Sequence, residues 1–527
     1  MRAAFTFEEI REAEKAIIEK DGIPSLILME NAGRNAFDVI CNTIPALRDY
    51  GIYIFCGKGN NAGDGFVIAR HLLINGFEVN IVSVTDTNEL KGDALQNYSI
   101  LKCMQSDSLK FYDISDLDIN RSPLKKGKVL IVDAVLGSGT KGKLSPGFES
   151  VINLINRIKK ENNKSVVISI DVPSGLTSGI QINPVISAES TITMGAIKTE
   201  LLYGEGKECS GDITVVPIGI DEKLFDEHNT YGKYDIEFDD IRKLYPGRKR
   251  SSYKYSNGKA LIIGGSKGLS GAVIMSSLSA VKSGAGAVLA AFPKSISAHF
   301  SKNLYEVIKT ELNETGEGSI AGDSFNKTEK LIEKADAVLI GPGLSLNPDT
   351  KNFLYDVIRN CKKNMVIDAD ALTMIADDPD VLINRKSKSG IILTPHLGEF
   401  SRLSKLSHDE ILSDRFGSVK EFSKKYNVTI LMKSETSFSC LAGGEIFINS
   451  SGNETLASAG SGDVLSGIVV SLLALSSDVK TSMLCGAYLH GMTADLYFLK
   501  YGNKQSSSQK SLINLIPKAI TQILNKN

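Results

Sequence analysis

Twice along this chain, short β-branched runs alternate with helical stretches, and that alternation limits the architecture more than any other feature. Runs at 52–55, 79–84, 129–132, 166–170 and 213–216 are interleaved with helical patterns such as 65–74 and 149–160. Short apolar runs separated by helices specify a mostly parallel α/β sheet rather than a sandwich or a bundle. From 260 a second series starts, with runs at 260–263, 287–291, 337–340, 365–367, 391–393 and 428–432, then a hairpin at 438–448 around Gly443 and Gly444. Three apolar helical segments close the chain, at 462–475, at 480–499 and after the linker 505–509. Between about 217 and 256 the pattern gives way to a charged, tyrosine-dotted stretch, read as an interdomain region. A first domain is expected over 1–220, an interdomain region over 221–255 and a second domain over 256–527. At roughly 150 residues per domain the length of 527 allowed three or four units, so each half is larger than that average.

Composition narrows the function classes. Lys+Arg at 60 against Asp+Glu at 61 gives a formal charge of -1, with no basic excess to neutralise a nucleic-acid backbone. Seven scattered cysteines without a C-x-x-C pair suggest neither a disulfide framework nor a zinc ribbon. The acidic, polar start is no signal peptide, and no apolar run reaches membrane-spanning length. A cytoplasmic protein without nucleic-acid or membrane partners is expected.

In the first half, three loops past strand ends carry polar groups. Gly57-Lys-Gly-Asn-Asn-Ala-Gly-Asp-Gly65 follows a strand and opens a helix, where backbone N–H groups and the positive dipole end can hold phosphate. Ala62 stands where a dinucleotide fingerprint needs glycine, which disfavours a plain hydride-transfer domain. A tight strand-to-helix turn would explain the glycines, but Asn60, Asn61 and Asp64 less well. The loop from Asp133 to Lys143 approaches a phosphate-loop motif, yet Leu144 occupies the position of the magnesium-binding hydroxyl, so an NTPase is rejected. Asp171-Val-Pro-Ser-Gly175 places Asp171 and Ser174 at a third strand end, with Pro173 stiffening the turn. Three strand ends thus converge on one rim, the expected ligand position of an open α/β sheet.

Together with Met29-Glu-Asn-Ala-Gly33 and Thr191-Ile-Thr-Met-Gly-Ala-Ile-Lys198, these motifs resemble the NAD(P)H-hydrate epimerase domain across roughly 1–220. The resemblance implies a Rossmann-like three-layer α/β/α fold. It also implies a potassium ion held by Asn61, Asp133 and Ser174. The hydrated nucleotide would be contacted by Asn60, Asn61, Ala62, Gly63, Asp64, Gly137, Ser138, Gly139, Thr140, Lys141, Gly142, Lys143 and Asp171, with Asp171 as the catalytic proton-transfer group. Ala62 departs from the family's usual glycine.

In the second half, Ala459-Gly-Ser-Gly-Asp463 precedes an apolar helix. Its glycines permit close approach of a phosphate, and Asp463 could accept a proton from a hydroxyl nucleophile. An acidic residue in a first helical turn is also favoured by the helix dipole alone. The ordered set Ile263-Gly-Gly-Ser-Lys-Gly-Leu-Ser-Gly-Ala272, Ser283-Gly-Ala-Gly286, Ile340-Gly-Pro-Gly343, Asp368-Ala-Asp-Ala-Leu372, Leu393-Thr-Pro-His-Leu-Gly-Glu399 and Leu431-Met-Lys433 resembles the ADP- or ATP-dependent NAD(P)H-hydrate dehydratase family, with its ribokinase-like α/β fold. By that resemblance Ala272, Gly343, His396 and Asp463 line the hydrate site, with Asp463 catalytic. Lys433, Ser434, Glu435, Thr436, Ser437 and Gly462 bind the adenine nucleotide. Taken alone, His396 could be a polar loop residue and Lys433 a solvated surface cation. Leu397 for proline, Ser434 for glycine, Ser461 for threonine and Tyr253-Lys-Tyr-Ser for His-Lys-Gly depart from the usual pattern.

The implied whole is a bifunctional repair enzyme. It would interconvert the R and S hydrates of NADH and NADPH, then dehydrate the S form with ADP, releasing AMP and phosphate. Potassium in the first domain, magnesium with ADP in the second and a homo-oligomeric state are expected with it. The alternatives are a ribokinase-like hydroxyl kinase with a nucleotide-binding regulatory domain, and a first domain acting as a protein-binding platform.

Overall fold

The computed structural model describes the chain except for residues 21, 118–122, 249–250, 252–256, 302–303 and 526–527. The departure noted at 253–256 therefore lies outside the described residues. Two compact units are present, one of Ala3–Thr230 and one of Tyr231–Asn527 with Met1–Arg2. The stretch 221–255 is divided between them. Helix Glu222–Asp226 belongs to the first, while strand Lys233–Asp235 and helix Phe238–Leu244 belong to the second.

In chain order the strands are β1 (Arg2–Phe5), β2 (Gly51–Cys56), β3 (Val79–Ser83), β4 (Leu109–Asp113), β5 (Val129–Ala134), β6 (Ser165–Ile170), β7 (Ser190–Met194), β8 (Ile197–Lys198) and β9 (Asp212–Val216). They continue as β10 (Lys233–Asp235), β11 (Lys259–Ile263), β12 (Ala287–Pro293), β13 (Val307–Leu312), β14 (Ala337–Ile340), β15 (Asn364–Ile367), β16 (Ile391–Leu393), β17 (Thr429–Met432), β18 (Ser437–Cys440) and β19 (Ile446–Asn449).

The first unit carries a parallel sheet in the order β4-β3-β2-β5-β6-β7-β9. β5 is buried at every position, which is why its first four residues are a continuous apolar run rather than an alternating one. One core joins Ile54, Val132 and Ile168 to Phe66 and Leu72 of helix Asn60–Ile74. Another joins Phe55 and Ile131 to Ile152 and Ile155 of helix Pro146–Glu161. Helices thus cover both faces. The strand order reverses between β2 and β5, so the crevice outside their carboxyl ends is where such a sheet takes a ligand.

In the second unit the order is β13-β12-β11-β14-β15-β16-β17-β18-β19-β10. It is parallel from β13 to β17 and antiparallel through the β18–β19 hairpin, with Phe438 opposite Ile448. The helix Ser461–Ser476 is apolar all round because it runs through the core, packed among Ile262, Leu339 and Leu484. Its Gly467 lies so close to the backbone of Ser276 that a Cβ there would collide with it. Among the described residues no helix is long and apolar enough to cross a membrane, and all seven cysteines are free thiols.

The first glycine-rich motif differs from its expected form. The helix begins at Asn60, not near Gly65, so Asn60 to Asp64 form its first turn. Gly57 is the tight point: a Cβ there would strike the Val135 carbonyl across the β2–β5 crevice.

Candidate active sites

In the first unit the three strand-end motifs meet around a cavity of about 700 Å³. Asn60, Asn61, Asp64, Gly137, Ser138, Gly139, Thr140, Lys143 and Asp171 all line it. Ala62 and Gly63 are buried behind this wall, Gly63 against Met29. Lys141 and Gly142 lie on the exposed outer part of their loop, where the Gly142 carbonyl accepts from Asn183 at 2.9 Å.

Asp171 caps the carboxyl end of β6 with φ at 67°, a left-handed conformation that a non-glycine residue holds only under constraint. The constraints are visible: its N–H donates to the Ile192 carbonyl at 2.8 Å, Ser138 N–H donates to Oδ2 at 3.1 Å, and Lys198 Nζ pairs with Oδ1 at 2.8 Å. The Lys198 side chain is only 1% exposed and also donates to Thr193 Oγ1 and the Met194 carbonyl, each at 2.9 Å. Burial raises the Asp171 pKa, but the Lys198 charge and the hydrogen bonds outweigh it, leaving the carboxyl below its ordinary value. Two neighbouring carboxyls go the other way. Burial, then the charges of Asp171 and Glu14, push Asp64 well up. Burial lifts Glu14 to about 7, against the pull of Lys198.

Beside this cluster, Asp133 is fully buried at the end of β5. It accepts from Ser174 Oγ at 2.6 Å, Ser174 N–H at 2.9 Å, Ser169 Oγ at 2.8 Å and Val135 N–H at 3.3 Å. Burial still raises its pKa. Asn61 donates from Nδ2 to the Leu136 carbonyl at 2.9 Å, while its buried Oδ1 has no partner. Asn61, Asp133 and Ser174 are thus brought together through the Leu136 loop, and an oxygen donor is left open there.

In the second unit most of the motifs converge at the amino end of helix Ser461–Ser476, whereas the motif at 283–286 lies away from it, with Ala285 N–H donating to Ser471 Oγ at 2.9 Å. Gly462 faces Lys433, whose Nζ would lie 3.2 Å from a Cβ placed there. Lys433 follows β17 directly. It is no solvated surface cation, since its Nζ lies 2.8 Å from Asp368 Oδ1 and 3.7 Å from Glu399 Oε2. Burial lowers its pKa, and the two carboxylates more than reverse that. Burial and the neighbouring Asp368 carry Asp463 up to about 7, despite Lys433.

His396 is an N-cap. Its Nδ1 accepts from Gly398 N–H at 3.1 Å and Glu399 N–H at 3.3 Å, and Glu399 Oε2 accepts from the His396 N–H at 2.9 Å. Capping fixes the tautomer, leaving Nε2–H on a half-exposed ring. Ala272 and Gly343 sit together, since a Cβ on Gly343 would lie 3.3 Å from that of Ala272. Ser434 turns inward, donating from Oγ to the Thr436 carbonyl at 2.5 Å, and Glu435 pairs with Arg415 at 3.1 Å. Thr436 is buried and Ser437 opens β18. Among the described residues no group of three or more His, Cys, Asp or Glu has metal-holding geometry.

Glu14, Glu399, Asp368 and His490 belong to these sites without having been assigned a role from sequence. His490 is buried, lies 3.3 Å from Ser461 Oγ and is pushed down to about 4 by burial. An isolated acidic residue on a charged amphipathic helix, such as Glu14, carries no local signal; only the tertiary fold brings it to the cavity.

Comparison with known proteins gives two family matches: YjeF-related protein N-terminus over residues 25–200, and NAD(P)H-hydrate dehydratase over residues 260–518. A bifunctional NAD(P)H-hydrate repair enzyme of Moorella thermoacetica is 32% identical over 499 residues, covering 93% of this chain and 91% of that one. One from Dictyoglomus turgidum is 30% identical over 525 residues, covering 99% of each. Among solved structures, the ADP/ATP-dependent NAD(P)H-hydrate dehydratase from Bacillus subtilis, co-crystallized with ATP/Mg2+, is 26% identical. It covers 55% of this chain and 97% of that one, at a TM-score of 0.48.

Proposed function

The chain belongs to the bifunctional NAD(P)H-hydrate repair enzymes, and from that membership we propose that its two units perform the two steps of such a repair on hydrated NADH and NADPH. The observation that carries the reading is the pair of differently poised carboxylate sites, one around Asp171 and one around Asp463. In the first unit the C6 hydroxyl takes up a proton, the ring nitrogen expels it as water, and water returns on either face. Asp171, kept ionised by Lys198, takes the proton of the returning water. The cavity wall from Asn60 to Asp64 and from Gly137 to Lys143 holds the nucleotide. Potassium fits the open Asn61 oxygen, with Asp133 and Ser174 as further oxygen ligands; when bound it supplies positive charge beside the anionic substrate.

In the second unit the S-hydrate lies against Ala272, Gly343 and His396. Asp463 accepts the proton of the C6 hydroxyl, whose oxygen attacks the terminal phosphoryl of ADP and displaces AMP. N–H groups from Gly460 to Gly462 at the helix start, together with Lys433, stabilise the charge on the transferring group. The ring nitrogen then expels phosphate, and loss of a C5 proton restores the dihydronicotinamide. Lys433, Ser434, Glu435, Thr436, Ser437 and Gly462 form the nucleotide side. Magnesium would arrive with the nucleotide, whose phosphates supply most of its ligands.

The test is product analysis: S-hydrate and ADP should give reduced nicotinamide, AMP and phosphate in equal amounts. A stable phosphorylated nucleotide would instead support a hydroxyl kinase.

A further inference from the structure

Exchanging a hydroxyl between the two faces of a ring takes a proton donor for the leaving oxygen as well as a base for the returning water. Asp171 in its resting state is suited to the second task, since Lys198 holds it as a carboxylate. The cavity offers another candidate. Glu14, on the helix Phe7–Lys20, lines the same cavity as Asp171 and Asp64 and interacts with both, as well as with Lys198. It lies upstream of the matched segment 25–200. Three carboxyls thus gather about one buried ammonium, and charge balance favours retaining a proton on one of them.

We propose that Glu14 is the second acid–base group of the epimerisation, the proton donor to the leaving oxygen where Asp171 is the base for the returning water. This rests on the epimerase reading of the first unit. In one direction the Glu14 carboxyl gives its proton to the C6 hydroxyl, the C6–O bond breaks, and the nitrogen lone pair forms an N1=C6 iminium as water leaves. Water then adds to the other face, its proton passes to Asp171, and the electron pair returns to nitrogen. Glu14 now carries the negative charge and Asp171 the proton, and exchange through Asp64 or solvent resets them. The reverse reaction interchanges donor and acceptor. No oxidant or reductant is needed.

Glu14 is the group whose ordinary carboxyl value is lifted to about 7, by burial first. The charged groups that share its surroundings are Arg11 on its own helix, Lys58, Asp64, Asp93, Lys143, Asp171 and Lys198. A donor of this kind makes the rate fall as pH rises through about 7.

The experiment uses the full-length protein and its Glu14→Gln and Glu14→Asp variants without ADP, separating R and S hydrates chromatographically over time. Glu14→Gln should lower kcat for interconversion by ~100-fold with little change in KM and should lose the alkaline fall of the pH profile. Glu14→Asp should restore part of the rate and keep that limb. A melting transition of the first unit unchanged from the unmodified protein reports that each variant is folded there, and consumption of the S-hydrate with ADP reports that the other unit is intact. Interconversion by Glu14→Gln within threefold of the unmodified protein, or an unchanged pH limb at any reduced rate, overturns the role. If the unmodified protein leaves the epimers unchanged, the epimerase reading falls and the Glu14 role with it.

Discussion

Replacing Lys198 by Met should disable the first unit while leaving the second at work. Lys198 Nζ lies 2.8 Å from Asp171 Oδ1, and its side chain is 1% exposed. At that distance, with an effective dielectric constant of about 20, the direct attraction is ~6 kcal/mol. Desolvation of both ions offsets part of this, and breaking such a pair by removing one partner typically costs about 3–5 kcal/mol. Two consequences follow from the geometry. Asp171 loses the charge that holds its carboxyl low, and burial, already the largest influence on it, then pushes it up. With its carboxylate form disfavoured, it is a poorer base, and R-hydrate turnover should fall by about 10²–10⁴-fold. The assay follows formation of reduced nicotinamide from pure R-hydrate and from pure S-hydrate with excess ADP. R turnover should collapse, S turnover should persist, and the melting transition of the first unit should drop. R-hydrate consumption within a few-fold of the unmodified rate, in a protein that still melts cooperatively, would refute the argument that Lys198 sets the state of Asp171.

Other outcomes can be checked alongside it. Asp463→Asn should reduce S-hydrate turnover by about 10²–10⁴-fold while hydrate binding, measured by calorimetry, is retained. Asp463 has its folded carboxyl lifted to about 7 from an ordinary 3.8, so the folded state binds the extra proton between those values. Stability therefore declines as pH rises through that window, S-hydrate turnover rises with pH through about 7, and Asp463→Asn should raise Tm more at pH 8 than at pH 5. Asn61→Ala should abolish any preference for potassium over sodium in the thermal stability of the first unit; a preference that survives would place the ion elsewhere. Gly57→Ala, whose methyl would strike the Val135 carbonyl, should destabilise the first unit by about 1–3 kcal/mol in denaturant melts.

Most of the sheet was legible because buried parallel strands are continuous apolar runs: β2, β5, β6, β11 and β14 coincide with them to within two residues at either end. Strands β4 and β13 were not, since each lies at a sheet edge and reads as Leu-Lys-Phe-Tyr-Asp or Val-Ile-Lys-Thr-Glu-Leu. Charged residues there guard an open edge and blur the pattern. The motif loops pointed to both sites, and the structure gathers Asn61, Asp133, Asp171 and Ser174 at one crevice. What sequence could not deliver was the partnership across elements. Lys198 was part of a recognised motif, yet nothing local says that it pairs with Asp171. Asp368 and Glu399 likewise acquire meaning only once Lys433 is seen between them. His396 shows the converse, because the bland reading of a loop residue has real content: its Nδ1 caps a helix.

In the proposed repair, one unit interconverts epimers which the other consumes selectively. Pure R-hydrate and pure S-hydrate, each supplied with ADP to Asp171→Asn, test it most directly, with AMP and reduced nicotinamide quantified together. S-hydrate should still be converted with one AMP per reduced nicotinamide, while R-hydrate should be left almost untouched. Undiminished consumption of the R-hydrate by this variant, or AMP formed without reduced nicotinamide, would contradict it.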